Sequence, residues 1–479
     1  MYKIDLRKRL SIYRKQGLLL AAVILVSWSP IVWSKSLTWD DWMARSASSA
    51  ELSLWARQMG RLSTFLTFPL SHPAFEYFDA PAVRFASLFA MVGTGLLVYS
   101  LSQRLGTFDR IESQFIGFFV GVLPVDTTRS MITTSMYVWC LFLFFGATRL
   151  SVCRRRLLFV LSLPLFFVSF ETSSLLVFLI FPSLLISRES GWTTRERMFR
   201  VLLLFGTGAI FWVVKLQWFT PFGSYEGYNR IGVHGIMTVI LGLGSVFIFA
   251  RILWMAHQAD VLVLKGNSGL IAVGILFATV GLLPYAAVGN YPPFLGTETR
   301  HYTASGLGLS LVLVGIIRMV GCGNPRRKAL AHAGLTGTCV VFVWLNCVLS
   351  LNYWAFQNQA ESFFESSPVP ENTVVVLELD ESRIIKLSRF LGPNFALTWY
   401  VPTGWIDPGA ESSSLAVMET DLDKVMTGRI ECCPPARPWA DSPGLDATNL
   451  VYVQIRASGG VLGMFQNYDF ETEVGIGNS

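Results

Sequence analysis

The sequence predicts a mainly α-helical polytopic membrane protein with a small α/β domain at its carboxy-terminal end. Three observations carry this. Hydrophobic residues fill 52% of 479 positions while 15% are charged, a balance typical of chains that sit in lipid. Apolar runs recur through residues 1–352 and stop there. The formal charge of +6 also divides at that point: up to Asn352 there are 31 basic and 15 acidic residues, net +16, and from Tyr353 on there are 7 and 17, net −10. Residues 1–352 therefore read as a basic membrane domain and residues 353–479 as an acidic soluble one. The basic excess lies in short loops between hydrophobic runs, so it points to membrane orientation and not to nucleic acid. The seven cysteines form neither a zinc spacing nor a disulfide framework, since five lie in or beside apolar runs and Cys432 and Cys433 are neighbours.

The amino terminus carries Lys3, Arg7, Lys8, Arg9, Arg14 and Lys15, followed by the apolar run Leu18 to Trp33. The run is long and lacks a small-residue cleavage site, so an uncleaved first span with its basic tail inside is expected. An outer loop, residues 35–82, follows. It opens with Thr38-Trp39-Asp40-Asp41-Trp42, two carboxylates flanked by indoles at the depth where a helix meets water. From Ala50 to Leu70 the apolar positions Leu52, Trp55, Met59, Leu62 and Leu66 recur at steps of three and four, predicting an amphipathic helix lying on the bilayer. Arg57 and Arg61 would stand one turn apart on it, able to reach one phosphate.

Ten further runs follow: Val83 to Leu101, Phe115 to Leu123, Met131 to Ala147, Leu157 to Phe170, Ser173 to Ile186, Val201 to Leu216, Gly235 to Trp254, Gly269 to Val288, Ala304 to Met319 and Leu335 to Asn352. With the first they make about eleven spans. With the amino terminus cytoplasmic, 22 basic residues fall on inner segments and 9 on outer ones, the remaining 7 lying in the tail. Short inner loops collect Lys and Arg, so the bias supports this orientation. Arg149 to Arg156 and Arg188 to Arg200 are both rich in Arg, so the chain between them leaves and returns to one side, with Glu171 at the outer turn. Past Asn352, Thr373 to Leu379, Phe395 to Val401 and Leu450 to Ile455 read as strands and Glu381 to Phe390 as a helix, and an odd number of spans puts this domain outside.

The candidate polar groups collect on the outer loops. Besides Asp40 and Asp41 they are Asp126 with Arg129, Glu171, the segment Ser224 to His234 with Tyr225 and Glu226, and the segment Gly289 to Tyr302 with Glu298, Arg300 and His301. An acid between apolar runs, as at Glu171, is costly without a partner or a task, though it can also simply mark a turn. Asp126 and Arg129 read as a local ion pair. Arg300 and His301 precede a span, where an anionic ligand would relieve a cation set against a helix amino terminus; anchoring among head groups is the competing reading for Arg300. No Walker loop or Gly-x-Gly-x-x-Gly follows a strand, so no nucleotide cofactor is expected and any donor used on the outer face must be carried by lipid.

The chain resembles the GT-C superfamily of polytopic glycosyltransferases, and within it the bacterial glucosyltransferases that decorate O-antigen. The resemblance rests on Asp40-Asp41-Trp42 after the first span, Gly60-Arg61, the outer turn at Pro124, Phe170-Glu171-Thr172 and Thr297-Glu298-Thr299-Arg300-His301-Tyr302, and its layout covers about Leu18 to Asn352. It implies transfer of a sugar, a hexose such as glucose, from a polyprenyl phosphate to a cell-surface glycan hydroxyl, in the bacterial inner membrane. Asp40 or Asp41 would act as general base. Arg61, Arg300 and His301 would hold the donor phosphate, and Glu171, Tyr225, Glu226 and Glu298 would face the acceptor or sugar. Related enzymes show Tyr-Gln where this chain has Phe170-Glu171, and metal dependence varies across the superfamily, which leaves a divalent cation open. Two other classes stand beside it. An O-antigen polymerase or ligase would be expected to carry several Arg in one large late loop. A lipid-linked glycan transporter or flippase would place its ionisable groups at the membrane midplane.

Overall fold

The computed structural model describes residues 6–35, 49–62, 79–130, 132, 134–189, 191–226, 267–288, 297–321, 324–366, 373–379, 415–418, 449–458 and 467–473. They form a helical bundle and a four-stranded sheet. Among the described residues six helical segments are long and apolar enough to cross a membrane: Lys15–Val32, Ala80–Leu105, Thr194–Trp218, Asn267–Ala286, Arg300–Gly321 and Pro325–Val348. The chain is thus a helical membrane protein. The run Gly235 to Trp254 lies outside the described residues.

The first helix, α1 (Leu6–Val32), buries Leu20, Ile24, Trp28 and Ile31, spaced by four, four and three residues, and leaves Leu18, Leu19 and Val26 exposed. One face is packed while the other suits lipid. It lies against α3 (Asp79–Leu105) and α4 (Arg110–Val122), and Trp28 Nε1 donates to Val122 O at 3.4 Å. Between them in sequence, α2 (Ser49–Gln58) is short. The continuous helix expected from Ala50 to Leu70 is not formed, because Gly60 at φ +68° turns the chain two residues after Gln58. A Cβ there would stand 2.4 Å from Phe219 O, so only glycine fits. The turn also breaks the predicted Arg57 and Arg61 pair: Arg57 is exposed on α2, whereas Arg61 lies half-buried beyond it.

At only about 20 Å long, α4 is nevertheless enclosed by protein, with Phe115, Phe118, Phe119 and Val122 all buried. Its start is fixed by a capping box in which Glu112 N donates to Asp109 Oδ1 and Asp109 N to Glu112 Oε2, both at 2.9 Å. The chain continues through α5 (Ser135–Ser151) and α6 (Arg156–Ser169), the turn Phe170-Glu171-Thr172, a 3-10 segment Ser173–Leu179, α7 (Ile180–Arg188) and α8 (Thr194–Trp218). Phe170 is fully buried, stacked on Phe166 at 6.2 Å and edge-on to Phe211 at 5.6 Å. That anchor fixes where the next residue, Glu171, emerges. A 3-10 segment Thr297–Ser305 leads into α10 (Gly306–Gly321), which interlocks with α9 (Asn267–Ala287). A Cβ on Gly308 would lie 2.5 Å from Gly274 O and one on Gly274 2.7 Å from Gly308 O, the backbone approach that small residues permit in membranes. The bundle closes with α11 (Pro325–Ser366), which packs on α1 and α10.

The two ends of the bundle differ chemically. At the basic end, Arg200 donates to Ser151 O and Cys153 O at 3.1 and 2.9 Å and lies over the rings of Trp192 and Phe159. The Arg-rich loops on either side of the α6–α7 hairpin therefore meet. Nearby, Arg318 grips both oxygens of Glu112 at 2.7 Å, and Lys328 adds contacts of 2.5 Å to Glu112 and Asp109. Burial alone would raise the Glu112 pKa, but hydrogen bonds from Arg318 and Lys328 pull it down to about 2.

Strands β1 (Thr373–Leu379), β2 (Leu415–Met418), β3 (Asn449–Ser458) and β4 (Asn467–Glu473) pair in the order β2-β1-β3-β4. β1 runs parallel to β2 and β3, while β4 runs antiparallel to β3. The predicted strands at Thr373 to Leu379 and Leu450 to Ile455 lie in β1 and β3. The helix at Glu381 to Phe390 and the strand at Phe395 to Val401 fall outside the described residues, as does the chain joining the parallel strands.

Candidate functional site

The far end of the bundle gathers cations around a buried carboxylate. Glu171 is 2% exposed, and its Oε1 and Oε2 accept from Leu62 N at 3.1 and 3.2 Å. Arg61 Nη1 donates to the Glu171 carbonyl at 3.3 Å. The turn that follows α2 is thereby pinned to the turn that follows α6. Burial works against charge on Arg61, but Tyr137, Glu171 and Tyr285 outweigh it and raise its pKa above the ordinary arginine value. Arg61 thus stays cationic, and its Nε is buried with no hydrogen-bond partner in the protein.

Tyr285, near the end of α9, joins the two halves of the site. Its hydroxyl lies 3.3 Å from Ser174 Oγ, its ring packs on His301 with centroids 3.9 Å apart, and it interacts electrostatically with Arg61, Tyr137 and Arg300. The 3-10 segment that carries Arg300 and His301 is held by Thr303, whose hydroxyl donates to Arg300 O at 2.7 Å and to Asp126 Oδ2 at 3.3 Å. Asp126 is further engaged by Thr128 Oγ1 at 2.7 Å and forms the expected ion pair with Arg129 at 3.4 Å. Arg129 in turn donates to Gly121 O at 2.5 Å, and its Nη2 is buried without a partner. Among the described residues, Arg61 and Arg300 both act on Tyr285, and Arg61 also acts on Glu171. Guanidinium groups enclosed by low-dielectric helices suit an anion.

Of the predicted site residues, Arg61, Glu171, Arg300 and His301 come together here. The Tyr225 hydroxyl accepts from Trp55 Nε1 at 2.8 Å and its ring packs with Leu52 and Trp55, which docks α2 on the chain after α8. Glu226 is exposed beside it. Glu298 lies in the 3-10 segment ahead of Arg300. Asp40 and Asp41 fall outside the described residues. Sequence reasoning passed over Tyr137 and Tyr285, which sit inside apolar runs, and Lys215, which lies in a spanning helix yet interacts with Glu171 and Arg61. The available signal was spacing, since Lys215 continues the buried stripe of Leu204, Gly208 and Phe211. Among the described residues no three His, Cys, Asp or Glu groups stand together to hold a metal ion.

These features define a helical membrane protein with a cationic, tyrosine-lined site at one end of its bundle. Comparison with protein-family models, curated proteins and solved structures finds no match to the chain.

Proposed function

We propose that the chain is a membrane glycosyltransferase of GT-C type that moves a hexose from a polyprenyl-phosphate donor to a hydroxyl of a cell-surface glycan. The observation that carries this reading is the grouping of Arg61, Glu171, Tyr285, Arg300 and His301 at the end of a lipid-embedded bundle. The bond between the anomeric carbon and the phosphate oxygen breaks, its electron pair leaves with the lipid phosphate, and Arg61 and Arg300 stabilise the charge that grows there. The acceptor oxygen bonds to the anomeric carbon as its proton passes to Asp40 or Asp41, the carboxylates of the loop that leads to α2. Leu62 N–H is shared between both oxygens of the Glu171 carboxylate, so in this mechanism Glu171 places the turn that carries Arg61.

About eleven spans, a cytoplasmic amino terminus, an extracytoplasmic α/β domain over 353–479 and a place in the bacterial inner membrane complete the reading. Their support is the excess of Lys and Arg on inner segments and the meeting of the two Arg-rich loops at the end opposite the site. The test is transfer by the purified protein with polyprenyl-phosphate hexoses and candidate glycan acceptors. Asp40→Asn or Asp41→Asn should lower turnover by about 100-fold or more, the usual contribution of a general base. If both variants transfer sugar at the wild-type rate, the base assignment fails.

A further inference from the structure

The basic end of the bundle carries more positive charge than its own contacts use. The two loops that meet there, residues 149–156 and 188–200, hold eight arginines against two carboxylates, Glu189 and Glu196. Both carboxylates are taken: Glu189 pairs with Arg104 at 2.7 Å and Glu196 with Arg200 at 3.1 Å. Arg154, Arg155 and Arg156 on the first loop and Arg188 and Arg195 on the second are exposed, and among the described residues none of the five is in an ion pair. The loops form one surface, since the Arg154 guanidinium lies directly against Gly191 and Arg200 donates to Arg154 O at 3.4 Å. Two donors within it are buried without a partner, the Nε1 of Trp192, a residue only 6% exposed, and the Nε of Arg197. The N-cap of α6 is Arg155, whose side chain offers no acceptor to the first-turn N–H groups. Cations beside the positive end of a helix are disfavoured, and an anion relieves both. What borders the charge is apolar. Past Arg156, α6 exposes Leu157, Val160 and Leu161 by 69, 56 and 48%, and past Arg197, α8 exposes Met198, Phe199 and Leu202 by 61, 60 and 66%. Cations that end where lipid-facing side chains begin stand at head-group depth. A soluble anion would meet the charge alone, whereas an anionic lipid meets both.

We propose that the surface formed by residues 154–156 and 188–197 binds the head group of an anionic phospholipid, with its acyl chains along α6 and α8, which pack on each other. Arg155 and Arg195, one from each loop, reach the phosphate as charge-assisted hydrogen-bond donors. The lipid ties the two helices together at the end opposite the Arg61 cluster, whatever reaction is carried out there.

The experiment measures lipid binding to the purified full-length protein in neutral detergent, with phosphatidylglycerol, phosphatidylethanolamine and inorganic phosphate as probes. Wild type should bind phosphatidylglycerol roughly tenfold or more tightly than phosphatidylethanolamine, and high salt, which screens exposed charges, should erase that preference. Arg155→Gln combined with Arg195→Gln should weaken phosphatidylglycerol binding about thirtyfold, the effect of two cations at a lipid surface, and leave phosphatidylethanolamine binding as it was. Both side chains are exposed, so the unfolding temperature without added lipid should not change. Arg155→Lys combined with Arg195→Lys keeps the charge and should retain most of the affinity. Arg326→Gln combined with Arg327→Gln, which removes two exposed cations from the start of α11, should leave binding unchanged. Undiminished phosphatidylglycerol affinity in the glutamine pair at 155 and 195 would overturn the site, and so would an equal loss in the α11 pair, because the charge would then act diffusely. A preference that survives high salt would overturn it without any variant. Inorganic phosphate that displaces phosphatidylglycerol at equal concentration would replace the lipid with a small anion and contradict the proposal.

Discussion

Removing the Glu171 carboxylate should release the turn that carries Arg61. In the wild type one backbone N–H, that of Leu62, is shared between both carboxylate oxygens at 3.1 and 3.2 Å, and Glu171 is almost wholly enclosed. A hydrogen bond to a charged group of this kind contributes about 1.5–3 kcal/mol. Taking about 2 kcal/mol for Glu171→Ala, the population in which residues 49–62 are locally detached rises about thirtyfold. Limited trypsinolysis reads this directly, because Arg57 is exposed and Arg61 half-buried. Cleavage after Arg61 should accelerate by about that factor, while cleavage after Arg57 changes less. Glu171→Gln keeps an acceptor oxygen for Leu62 N and should give an intermediate rate. Equal cleavage after Arg61 in wild type and Glu171→Ala would refute the claim that this carboxylate places the arginine.

Further outcomes follow from the same contacts. Arg300→Ala, which removes a cation next to Tyr285, should raise the KM for the lipid donor about tenfold while the protein folds normally; an unchanged KM would take Arg300 out of the site. Gly308→Val drives side-chain atoms into Ala278 and Gly274, which already stand 2.2 and 2.5 Å from a bare Cβ, and should cost about 3 kcal/mol or more by overpacking, seen as a lower unfolding temperature or lost yield. Glu112 has a folded pKa of about 2 against an ordinary 4.5. The stability it adds is complete above about 4.5 and disappears as pH falls toward 2. The unfolding temperature of the wild type should therefore drop across that window more steeply than that of Glu112→Gln.

Hydropathy and charge exposed the helical membrane class because both are properties of whole segments. The runs at Leu18, Val83, Val201, Gly269, Ala304 and Leu335 each coincide with a helix. The continuous helix to Leu70 failed at Gly60, a residue that period alone treats as neutral but whose backbone must turn to clear Phe219. Glu171 and Arg300 stood out as charges at the edges of apolar runs, and Arg61 as a cation on the polar face of an amphipathic stretch. Tyr137, Tyr285 and Lys215 did not, because a polar group inside a hydrophobic run draws notice only once it is known which helix faces which. Nor could the sequence show that the Tyr225 hydroxyl accepts from Trp55, 170 positions earlier.

The central claim is that the Arg61, Glu171 and Arg300 cluster opens on the outer side of the membrane. Single cysteines at Glu226, exposed beside that end, and at Arg154, exposed at the basic end, can be labelled in intact cells with a membrane-impermeant maleimide, in a background freed of the seven native cysteines. The account predicts that Glu226→Cys reacts in intact cells and Arg154→Cys only after permeabilisation. The reverse pattern would place the site in the cytoplasm and contradict transfer from a lipid-borne donor on the outer face.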